Sequence, residues 1–325
     1  MREGEPLIVV CGEALIDLFV NLSQSGAMEA TPRLGGAPYN LAVGLARMGQ
    51  RVAFCGGLST DMFGHALLRQ LLAEGVSGEF FEQYSEPTML VVIGQHADGR
   101  PSYSFPVKVS ADRQLAGSRF GEAHSPVATL VVGSHLLVLP DTQSRLLRIV
   151  RETRNETLIC IDPNIRLGVI PDGRLWLDAL ERFLPQADIV KASDEDIAAL
   201  YPGASIEDVA AAWQDKGAAL VVVTAGARGA AAWFGHKQRL QVPAEPVALV
   251  DTVGAGDSFL AALLAMLRDG NVLDRNALQH VAPRTIESAL RFAVAAASLT
   301  CARVGADLPD RQTVTGHLAR AAAPT

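Results

Sequence analysis

Cysteine is scarce in this sequence of 325 residues, which holds only four. They are Cys11, Cys55, Cys160 and Cys301, and no two of them form the C-x-x-C pair on which many zinc sites are built. Their wide spacing and their apolar or small neighbours are typical of reduced core thiols in a cytosolic protein. The cysteines therefore do not indicate a zinc site.

Positive charge is in short supply as well. Lys and Arg together number 28 against 35 Asp and Glu, which gives a formal net charge of -7, and no basic run overrides this balance. DNA or RNA is therefore not expected as a partner. A negatively charged small ligand is still compatible with the chain, because backbone N–H groups and a bound metal can hold a nucleotide.

Long apolar runs are absent, since no stretch approaches the ~20 residues that a membrane span requires. The N-terminal run is short and is interrupted by Glu13 and Asp17, so we expect no signal peptide and predict a cytoplasmic protein that binds no membrane. Three motifs are also missing. The chain has no Gly-Lys dipeptide for a P-loop, no G-x-G-x-x-G run for a dinucleotide site and no G-x-S-x-G for a hydrolase.

The residues that are present favour a folded α/β protein. Hydrophobic residues make up 49% and charged residues 19%, a globular composition. Short apolar runs alternate with segments whose apolar residues recur three and four apart, and several runs are apolar on both faces. The expected strands are LIVVCG, RVAFCGG, TLVVGSHLLVL, TLICIDPN, ADIVKAS and ALVVVTAG. The alternation predicts a doubly wound, mostly parallel sheet flanked by helices.

One stretch breaks this alternation. Residues 88–106 resemble two strands around a turn at 97–100, which predicts an antiparallel hairpin. A hairpin inside a βα chain suggests a small second sheet that serves as a lid, and an edge hairpin without function is the alternative. We expect a single domain over 1–325, with a lid formed by segments near 13–34 and 88–108.

A glycine-rich turn carries the clearest chemical signal. The residues Val250 to Phe259 read VDTVGAGDSF and lead into the helical segment LAALLAMLRDG. Backbone N–H groups of Gly254, Ala255 and Gly256 at a helix N-terminus would form an anion hole for a transferring phosphoryl group. Asp257 would repel a phosphate, but it is suited to accept a proton from an attacking hydroxyl. The alternative is that Asp257 only caps the helix.

This turn resembles the C-terminal signature of the ribokinase-like (PfkB) family of carbohydrate kinases. A second segment, LGGAPYNLA followed by VGLARMG, is similar to the N-terminal glycine signature of that family. The resemblance extends from GEALIDLF to RVGADLP and implies the ribokinase-like fold. It also implies that ATP donates its γ-phosphoryl group to a sugar hydroxyl, with Asp257 as the catalytic base.

The resemblance further implies where the sugar binds. Asp17 in GEALIDLF matches an aspartate that binds sugar hydroxyls, and Gly35, Gly36 and Asn40 match residues that close around the sugar. Carboxylate and amide groups pair well with vicinal hydroxyls, and glycines leave room for a ring. Asn40 could instead be a helix N-cap, or serve both purposes.

A third segment, IDPNIR, follows a predicted strand. Asp162, Asn164 and Arg166 therefore stand at the end of a sheet strand, where α/β folds place their ligands. The same triplet is common in fructokinase-like members of the family. Arg166 would meet the sugar or a phosphate, and the alternative is a surface salt bridge.

Two segments are implied for the nucleotide. The strand-to-turn stretch TAGARG resembles the one that follows the phosphates, and a later helix resembles the one near the adenine. The residues concerned are Thr224, Gly226 and Gly229 in the turn, and Val294, Ala297 and Ser298 in the helix. The alternative for the helix residues is ordinary packing.

The resemblance implies metal ions too. Mg²⁺ accompanies the ATP phosphates, and Ser193 and Asp196 match the family residues that help to place it, with Glu195 as the rival of Asp196. A capped helix start explains the same acids equally well. In many members, the segment that matches Asp251 and Thr252 helps to hold K⁺ with the stretch here reading CARVGAD, so K⁺ activation is left open.

The substrate is expected to be fructose, because GEALIDLF, GGAPYN and DPNIR are most similar to bacterial fructokinases. The lid stretch YSFPVKVSADR departs from them, and its Lys108 would favour a substrate with a carboxylate such as 2-keto-3-deoxygluconate. A non-catalytic sugar or nucleotide sensor is the alternative of another class. Lids of this family often pair, which leaves a homodimer open.

Overall fold

The computed structural model describes residues 5–22, 28–95, 101–107, 109–115, 120, 125–235 and 237–321. Its strands are β1 (Leu7–Cys11), β2 (Leu15–Leu22), β3 (Met28–Gly35), β4 (Val52–Cys55), β5 (Gly57–Ser59), β6 (Glu82–Tyr84), β7 (Met89–Gln95), β8 (Pro101–Ser104), β9 (Val127–Gly133), β10 (Leu158–Asp162), β11 (Ile189–Ser193), β12 (Leu220–Thr224), β13 (Ala230–Phe234) and β14 (Gln238–Val242). Its α-helices are α1 (Ala37–Arg47), α2 (Met62–Ala73), α3 (Pro140–Thr153), α4 (Gly173–Phe183), α5 (Asp194–Leu200), α6 (Ile206–Asp215), α7 (Ala255–Asp269), α8 (Arg275–Gln279), α9 (Pro283–Cys301) and α10 (Arg311–Ala321).

The larger sheet confirms the predicted doubly wound α/β fold. Its strand order is β14-β13-β12-β11-β10-β9-β1-β4, with parallel pairing from β12 to β4 and antiparallel pairing of β12 with β13 and β13 with β14. Strands β1, β4 and β10 are buried along their whole length, because helices cover both faces. The order of the strands reverses direction between β1 and β9, and α/β folds bind ligands at such a switch point.

One predicted strand proved too long. The run TLVVGSHLLVL does not continue as a strand beyond Gly133, because Ser134 takes a φ of 59° and the chain then turns through the 3₁₀ helix His135–Leu137. The apolar residues after the turn, including Leu136 and Leu137, are buried in the core rather than in the sheet. Periodicity alone could not separate these two kinds of burial.

A second, smaller sheet has the order β3-β2-β7-β8. Strands β7 and β8 pair antiparallel, as the hairpin prediction requires, and the predicted turn at 97–100 lies outside the described residues. Strands β2 and β7 pair in parallel, with Asp17 opposite Val91. The sheet therefore combines the two segments near 13–34 and 88–108 that the sequence assigned to a lid, and the covering role itself stays a prediction.

Two apolar cores lie on opposite faces of the larger sheet. One is built around α1, α7 and α9, which pack closely against one another, and includes Leu45, Leu263 and Ala293. The other is built around α3, α4 and α6 and includes Trp176 and Trp213. Within the described residues, no helix is long and apolar enough to cross a membrane.

Candidate active site

The polar residues of the site collect at one edge of the larger sheet. Parallel strands end at the same edge, so the residues that follow β1, β9, β10, β11 and β12 are brought together there. The cleft at this edge, beside the switch point, is lined by Cys11, Pro38, Ser134, Asp162, Asn164 and Asp257, among others. Three of the segments that the sequence singled out, represented by Pro38, Asp162 and Asp257, thus line one cleft.

Asn40 and Asp257 are joined directly. The Asn40 side-chain Nδ2 donates a hydrogen bond to Asp257 Oδ2 at 2.9 Å, across 217 residues of sequence. Both residues stand in the first turns of their helices, since α1 begins after Gly36 and α7 after Gly254. Neither Asn40 nor Asp257 is the N-cap residue, so the capping alternative is wrong for both. The two signature segments instead build one site.

The environment of Asp257 favours a proton-accepting carboxyl group. Burial raises the pKa of Asp257 from 3.8 to about 6. The Asn40 hydrogen bond and the positive charges of Lys191 and Arg166 oppose this rise, while the charge of Asp162 adds to it. The carboxyl group is therefore ionised at neutral pH and titrates close enough to neutrality to take up a proton.

The backbone around Gly254 has the shape expected of an anion hole. Gly254 adopts the left-handed conformation at φ 79°, and a Cβ at this position would stand 2.7 Å from the Cβ of Ala306. At the start of the helix the Ala255 N–H donates to the Thr252 carbonyl at 3.2 Å, and the N–H groups of Gly256 and Asp257 precede the first bond within the helix, which the Ser258 N–H makes to the Gly254 carbonyl. A Cβ on Gly256 would stand 3.1 Å from the ammonium nitrogen of Lys191. The glycines therefore leave space between the helix start and a buried cation.

Lys191 is a site residue that the sequence reasoning missed. It lies on β11, is 4% exposed, and its Nζ donates to Asp162 Oδ2 at 2.9 Å. Burial disfavours the ammonium group, but the charges of Asp162, Asp196 and Asp257 outweigh this effect and raise the pKa of Lys191. The only signal in the sequence was a lysine inside an otherwise apolar strand, ADIVKAS.

Four residues assigned to the sugar lie together at the start of the smaller sheet. Gly35 pairs with Leu15 across β3 and β2, and a Cβ on Gly35 would stand 2.4 Å from Asp17 Oδ2. Gly36 has a φ of 104° and faces the backbone oxygen of Glu13, which a Cβ would approach to 2.7 Å. Both glycines thus leave room for Asp17 and for the Glu13 backbone to approach the turn before α1.

The positive charge of Arg166 acts on Asp17. Burial raises the pKa of Asp17 to about 6, while the positive charge of Arg166 lowers it and the charge of Glu13 raises it further. Arg166 also lowers the pKa of Asp162 and Asp257. Its guanidinium is exposed and donates to the carbonyl of Ile165 at 3.1 Å. The surface salt bridge considered for Arg166 is not among the ion pairs of the described residues.

Ser193 and Asp196 form a capping box at the start of α5. The Ser193 hydroxyl accepts from the Asp196 N–H at 3.0 Å, and Asp196 Oδ2 accepts from the Ser193 N–H at 2.8 Å. Asp196 Oδ1 also accepts from the Ile165 N–H at 2.8 Å, which ties the loop of Arg166 to α5. The capped helix start is thus confirmed. Glu195 is exposed beside it, and the metal role of either acid stays a prediction.

The segments assigned to the nucleotide follow the neighbouring strands. Thr224 ends β12 and is paired with Ser193 on β11. Gly226 begins a short 3₁₀ helix, and Gly229 ends it at φ 85°, where a Cβ would stand 2.0 Å from a backbone oxygen of β14. On α9, Val294 is only 4% exposed and belongs to the apolar core, whereas Ala297 is partly exposed. Ser298 is buried like Val294, and the predicted place of these residues near the adenine stays a prediction.

The loop before α7 lies against the stretch CARVGAD, as the sequence reasoning expected. The N–H groups of Val250 and Asp251 both donate to the Cys301 carbonyl, at 2.8 and 3.2 Å. Asp251 Oδ2 accepts from the Gly305 N–H at 2.8 Å. Thr252 is exposed beside them. The two segments that would hold a monovalent cation are therefore adjacent.

Comparison with known proteins agrees with this geometry. Residues 5–313 match the family model described as pfkB family carbohydrate kinase. A fructokinase of Rhizobium leguminosarum bv. trifolii is 33% identical over 269 residues, which is 83% of this chain and 82% of the relative. A probable fructokinase-5 of Arabidopsis thaliana is 31% identical over 93% of each chain.

Solved structures are similar as well. A fructokinase from Xylella fastidiosa with bound ATP superimposes with a TM-score of 0.87 at 28% identity, covering 98% of this chain and 99% of that chain. A fructokinase from Vibrio cholerae O395 in a form with bound fructose, ADP and calcium ion has a TM-score of 0.82 at 28% identity, covering 97% and 99% of the two chains.

Proposed function

Since the chain belongs to the pfkB family of carbohydrate kinases, we propose that it transfers the γ-phosphoryl group of ATP to a hydroxyl of fructose. The observation that carries this proposal is the hydrogen bond from Asn40 to Asp257, which brings the sugar segment and the phosphoryl segment to one point. The fructokinases among its relatives and structural neighbours support fructose as the acceptor.

The sugar is held first, between the larger sheet and the smaller one. Asp17 accepts hydrogen bonds from sugar hydroxyls, and Gly35 and Gly36 let the ring approach the backbone. The amide of Asn40 is fixed by its bond to Asp257 and offers its oxygen to a further hydroxyl. The smaller sheet, including the hairpin of β7 and β8, covers the bound sugar and keeps water from the reacting atoms.

Asp257 accepts the proton of the attacking hydroxyl. The hydroxyl oxygen forms a bond to the γ-phosphorus as the bond from phosphorus to the ADP oxygen breaks, and the proton passes to a carboxylate oxygen of Asp257. Phosphoryl transfer depends more on positioning than on basicity, and Asn40 supplies this positioning by holding one oxygen of Asp257.

The anion hole stabilises the transferring group. The N–H groups of Gly256 and Asp257 at the start of α7 bind it, with the positive end of the helix dipole behind them, while the Ala255 N–H stays bonded to the Thr252 carbonyl. Lys191 adds a full positive charge next to Gly256 and is held there by Asp162. ATP extends from this point along Thr224, Gly226 and Gly229 toward α9.

Metal ions complete the proposed site. Mg²⁺ on the ATP phosphates neutralises part of their charge, with Asp196 or Glu195 reached through water, because both Asp196 oxygens already accept backbone N–H groups. K⁺ would be held by backbone oxygens of the loop at Asp251 and Thr252, which is pinned to Gly305. The cytoplasm is the proposed location, since all four cysteines are free thiols.

Release of ADP in the presence of D-fructose, MgATP and K⁺ tests the proposal. Asp257→Asn is expected to lower kcat by about 10²- to 10⁴-fold, the usual contribution of a general base. Asp269→Asn is the matched control, because it removes a carboxylate from the other end of α7, where Asp269 pairs with Arg311. Equal loss in both variants, or near-native turnover in a folded Asp257→Asn, would contradict the assignment of the base.

A second candidate acceptor is 2-keto-3-deoxygluconate. The observation that favours it is the Arg166 charge, which acts on both Asp17 and Asp257 and could pair with a substrate carboxylate. Lys108, which suggested the same acid, lies outside the described residues. Turnover with this acid but not with fructose would change the substrate and keep the kinase. Absence of turnover with a whole panel of sugars would favour a sensor.

A further inference from the structure

A buried ionic cluster lies beside the sugar site and takes no part in the steps above. The His135 imidazole stands between two carboxylates, with Nδ1 3.8 Å from Glu13 Oε2 and Nε2 3.3 Å from Asp112 Oδ2. The Ser134 hydroxyl donates to Glu13 Oε1 at 2.7 Å. None of these four side chains belongs to a residue more than 3% exposed. Buried charges are costly unless they are paired, so such a cluster needs an explanation.

The cluster joins three segments at the base of the smaller sheet. Glu13 stands two residues before β2, Asp112 lies in the short 3₁₀ turn that follows β8, and His135 follows β9 of the larger sheet. The turn is also tied to the start of β7, because the Ala111 N–H donates to the Pro87 carbonyl at 3.0 Å. His135 therefore connects the larger sheet to the chain just before β2 and, through the turn at Ala111, to the chain just before β7.

The same cluster is continuous with the sugar site. The Glu13 backbone oxygen faces Gly36, and the Glu13 charge raises the pKa of Asp17. Ser134 lines the cleft with its backbone at a φ of 59°, a conformation that is strained for a residue with a Cβ. Any displacement of Glu13 would therefore move the groups that are assigned to the sugar.

His135 is the cation of this cluster. Burial lowers the pKa of His135, but the charges of Glu13 and Asp112 outweigh burial and the opposing charge of Arg113, and they raise it above its ordinary value. Helices α3 and α4, which pack on the same turn, add apolar side chains such as Leu146 to the core that Leu136 shares. Glu13 Oε2 and Asp112 Oδ1 make no hydrogen bond within the described residues, so the imidazolium is their main compensation.

We propose that His135 is a positioning residue whose imidazolium holds the Glu13 and Asp112 carboxylates together and thereby keeps the smaller sheet seated over the sugar. The inference rests on the proposed function, because that function assigns the sheet to cover a sugar. When His135 loses its proton, the two buried carboxylates lose the cation that stands between them, and the base of the sheet loosens. Asp257 lies on α7, outside the cluster, so the phosphoryl transfer step itself is unchanged.

Fructose affinity is therefore expected to depend on pH. The KM for fructose in the wild-type protein should rise about fivefold or more as the pH increases through the titration of His135, with little change in kcat. Linkage requires the reverse effect as well: bound fructose should move the midpoint of the His135 titration upward by roughly 0.7 of a pH unit, the logarithm of the same factor. NMR of the histidine ring protons measures this midpoint, and His135→Gln assigns the signal.

Two variants separate this role from a merely structural one. Asp112→Asn removes one carboxylate, so His135 loses its proton more readily and the rise in KM should begin at a lower pH. His135→Gln keeps a hydrogen-bonding side chain without a charge, and its KM should be high and independent of pH above neutrality. His65→Gln is the control, because His65 is exposed and contacts only the Asp61 carbonyl through its ring in the described structure.

The proposal is overturned by a fructose KM that stays flat above neutral pH in the wild-type protein, or by a His135 titration that fructose does not move. If fructose is not phosphorylated at all, the proposed function fails separately. Hydrogen exchange without substrate then tests the cluster: amides of β2 and β7, referenced to those of α7, should exchange faster in His135→Gln than in His65→Gln at neutral pH. Equal exchange would overturn the proposal on its own.

Discussion

Asp257 is held in an environment that suits its proposed chemistry better than it suits folding. Its folded pKa of about 6 exceeds the ordinary value of 3.8, so the native state binds the proton more tightly than the unfolded state does. Stability is therefore lost as the pH rises between these two values. The ionised carboxylate that serves as the base thus costs stability at neutral pH.

Asp257→Asn should accordingly be more stable than the wild-type protein above pH 6. The pKa difference between about 6 and 3.8 corresponds to at most about 3 kcal/mol, and the lost hydrogen-bond geometry with Asn40 reduces this gain. Melting temperatures at about pH 8 and about pH 4 measure the effect, because the gain should disappear where the wild-type Asp257 is protonated. A variant that is less stable at both pH values would contradict the burial cost.

The dependence of kcat on pH in the acid range should reflect the ionisation of Asp257. Turnover is expected to fall as the pH drops below about 6, because protonated Asp257 cannot accept a proton. Lys191→Met should move this fall to higher pH, since the Lys191 charge lowers the pKa of Asp257. Arg174→Met is the control, because Arg174 is an exposed cation paired with Asp172 at the start of α4. Identical profiles in all three proteins would assign the fall to another group.

Some of these residues could be predicted from the sequence and others could not. Asp257 and Asn40 stand in segments whose residue order is itself diagnostic. Lys191 and His135 are single charged residues within apolar runs, and their partners Asp162, Glu13 and Asp112 come from distant segments. Their roles depend on which strands are neighbours in space, which local periodicity does not specify.

At the scale of elements, the start of α1 decides where Asn40 points. Gly36 precedes the helix at φ 104°, and Pro38 lies in its first turn, so the helix begins earlier than a cap at Asn40 would allow. The sequence indicated a helix through NLAVGLARMG but not this start. The missing information was the backbone conformation of one glycine.

Gly36→Ala should disrupt the sugar site more than an ordinary glycine replacement would. The added Cβ combines a strained φ with a contact of 2.7 Å to the Glu13 backbone oxygen, and we expect the fructose KM to rise by about tenfold or more, as for about 1.4 kcal/mol of lost binding. Gly49→Ala is the matched control, with a φ of 78° but open space around the new Cβ. Equal effects of both changes on KM would mean that strain alone, and not the contact, is responsible.

In the smaller sheet, local strand pairing could be predicted from the sequence, but long-range pairing could not. The hairpin of β7 and β8 follows from two short strands around a turn. The parallel pairing of β2 with β7 joins segments that are far apart in the sequence, and no local pattern indicates it. The hairpin pattern suggested that a small second sheet exists, whereas its strand order came from the structure.

At the scale of the whole molecule, the smaller sheet ends in β3, whose outer edge pairs with no further strand among the described residues. Residues 28–33 of β3 are exposed, and Met28 and Tyr103 are 71% and 55% exposed. Exposed edge strands tend to pair with other strands, and we propose that two copies of the chain associate through this sheet. Light scattering should then give twice the chain mass of 34.4 kDa.

Ala30→Pro is the variant that tests this edge, because Ala30 lies in the exposed part of β3 two residues before Pro32, on the side of the strand that faces away from β2, and proline cannot donate to a ladder. This variant should shift the protein toward the monomer. Gln241→Pro is the control, because Gln241 lies near the end of β14, an edge strand of the larger sheet. A wild-type protein that is monomeric at all concentrations would contradict the proposal.

The hydrogen bond between Asn40 and Asp257 also determines when a growing chain becomes active. The sugar-binding strands and α1 are synthesised first. More than two hundred further residues must be synthesised before α7 can pack against α1. Until then the buried face of α1, with Leu41 and Leu45, has no helix to cover it. A chain whose translation stops before α7 would carry the sugar pocket without the base, and its uncovered apolar face would expose it to chaperones and proteases.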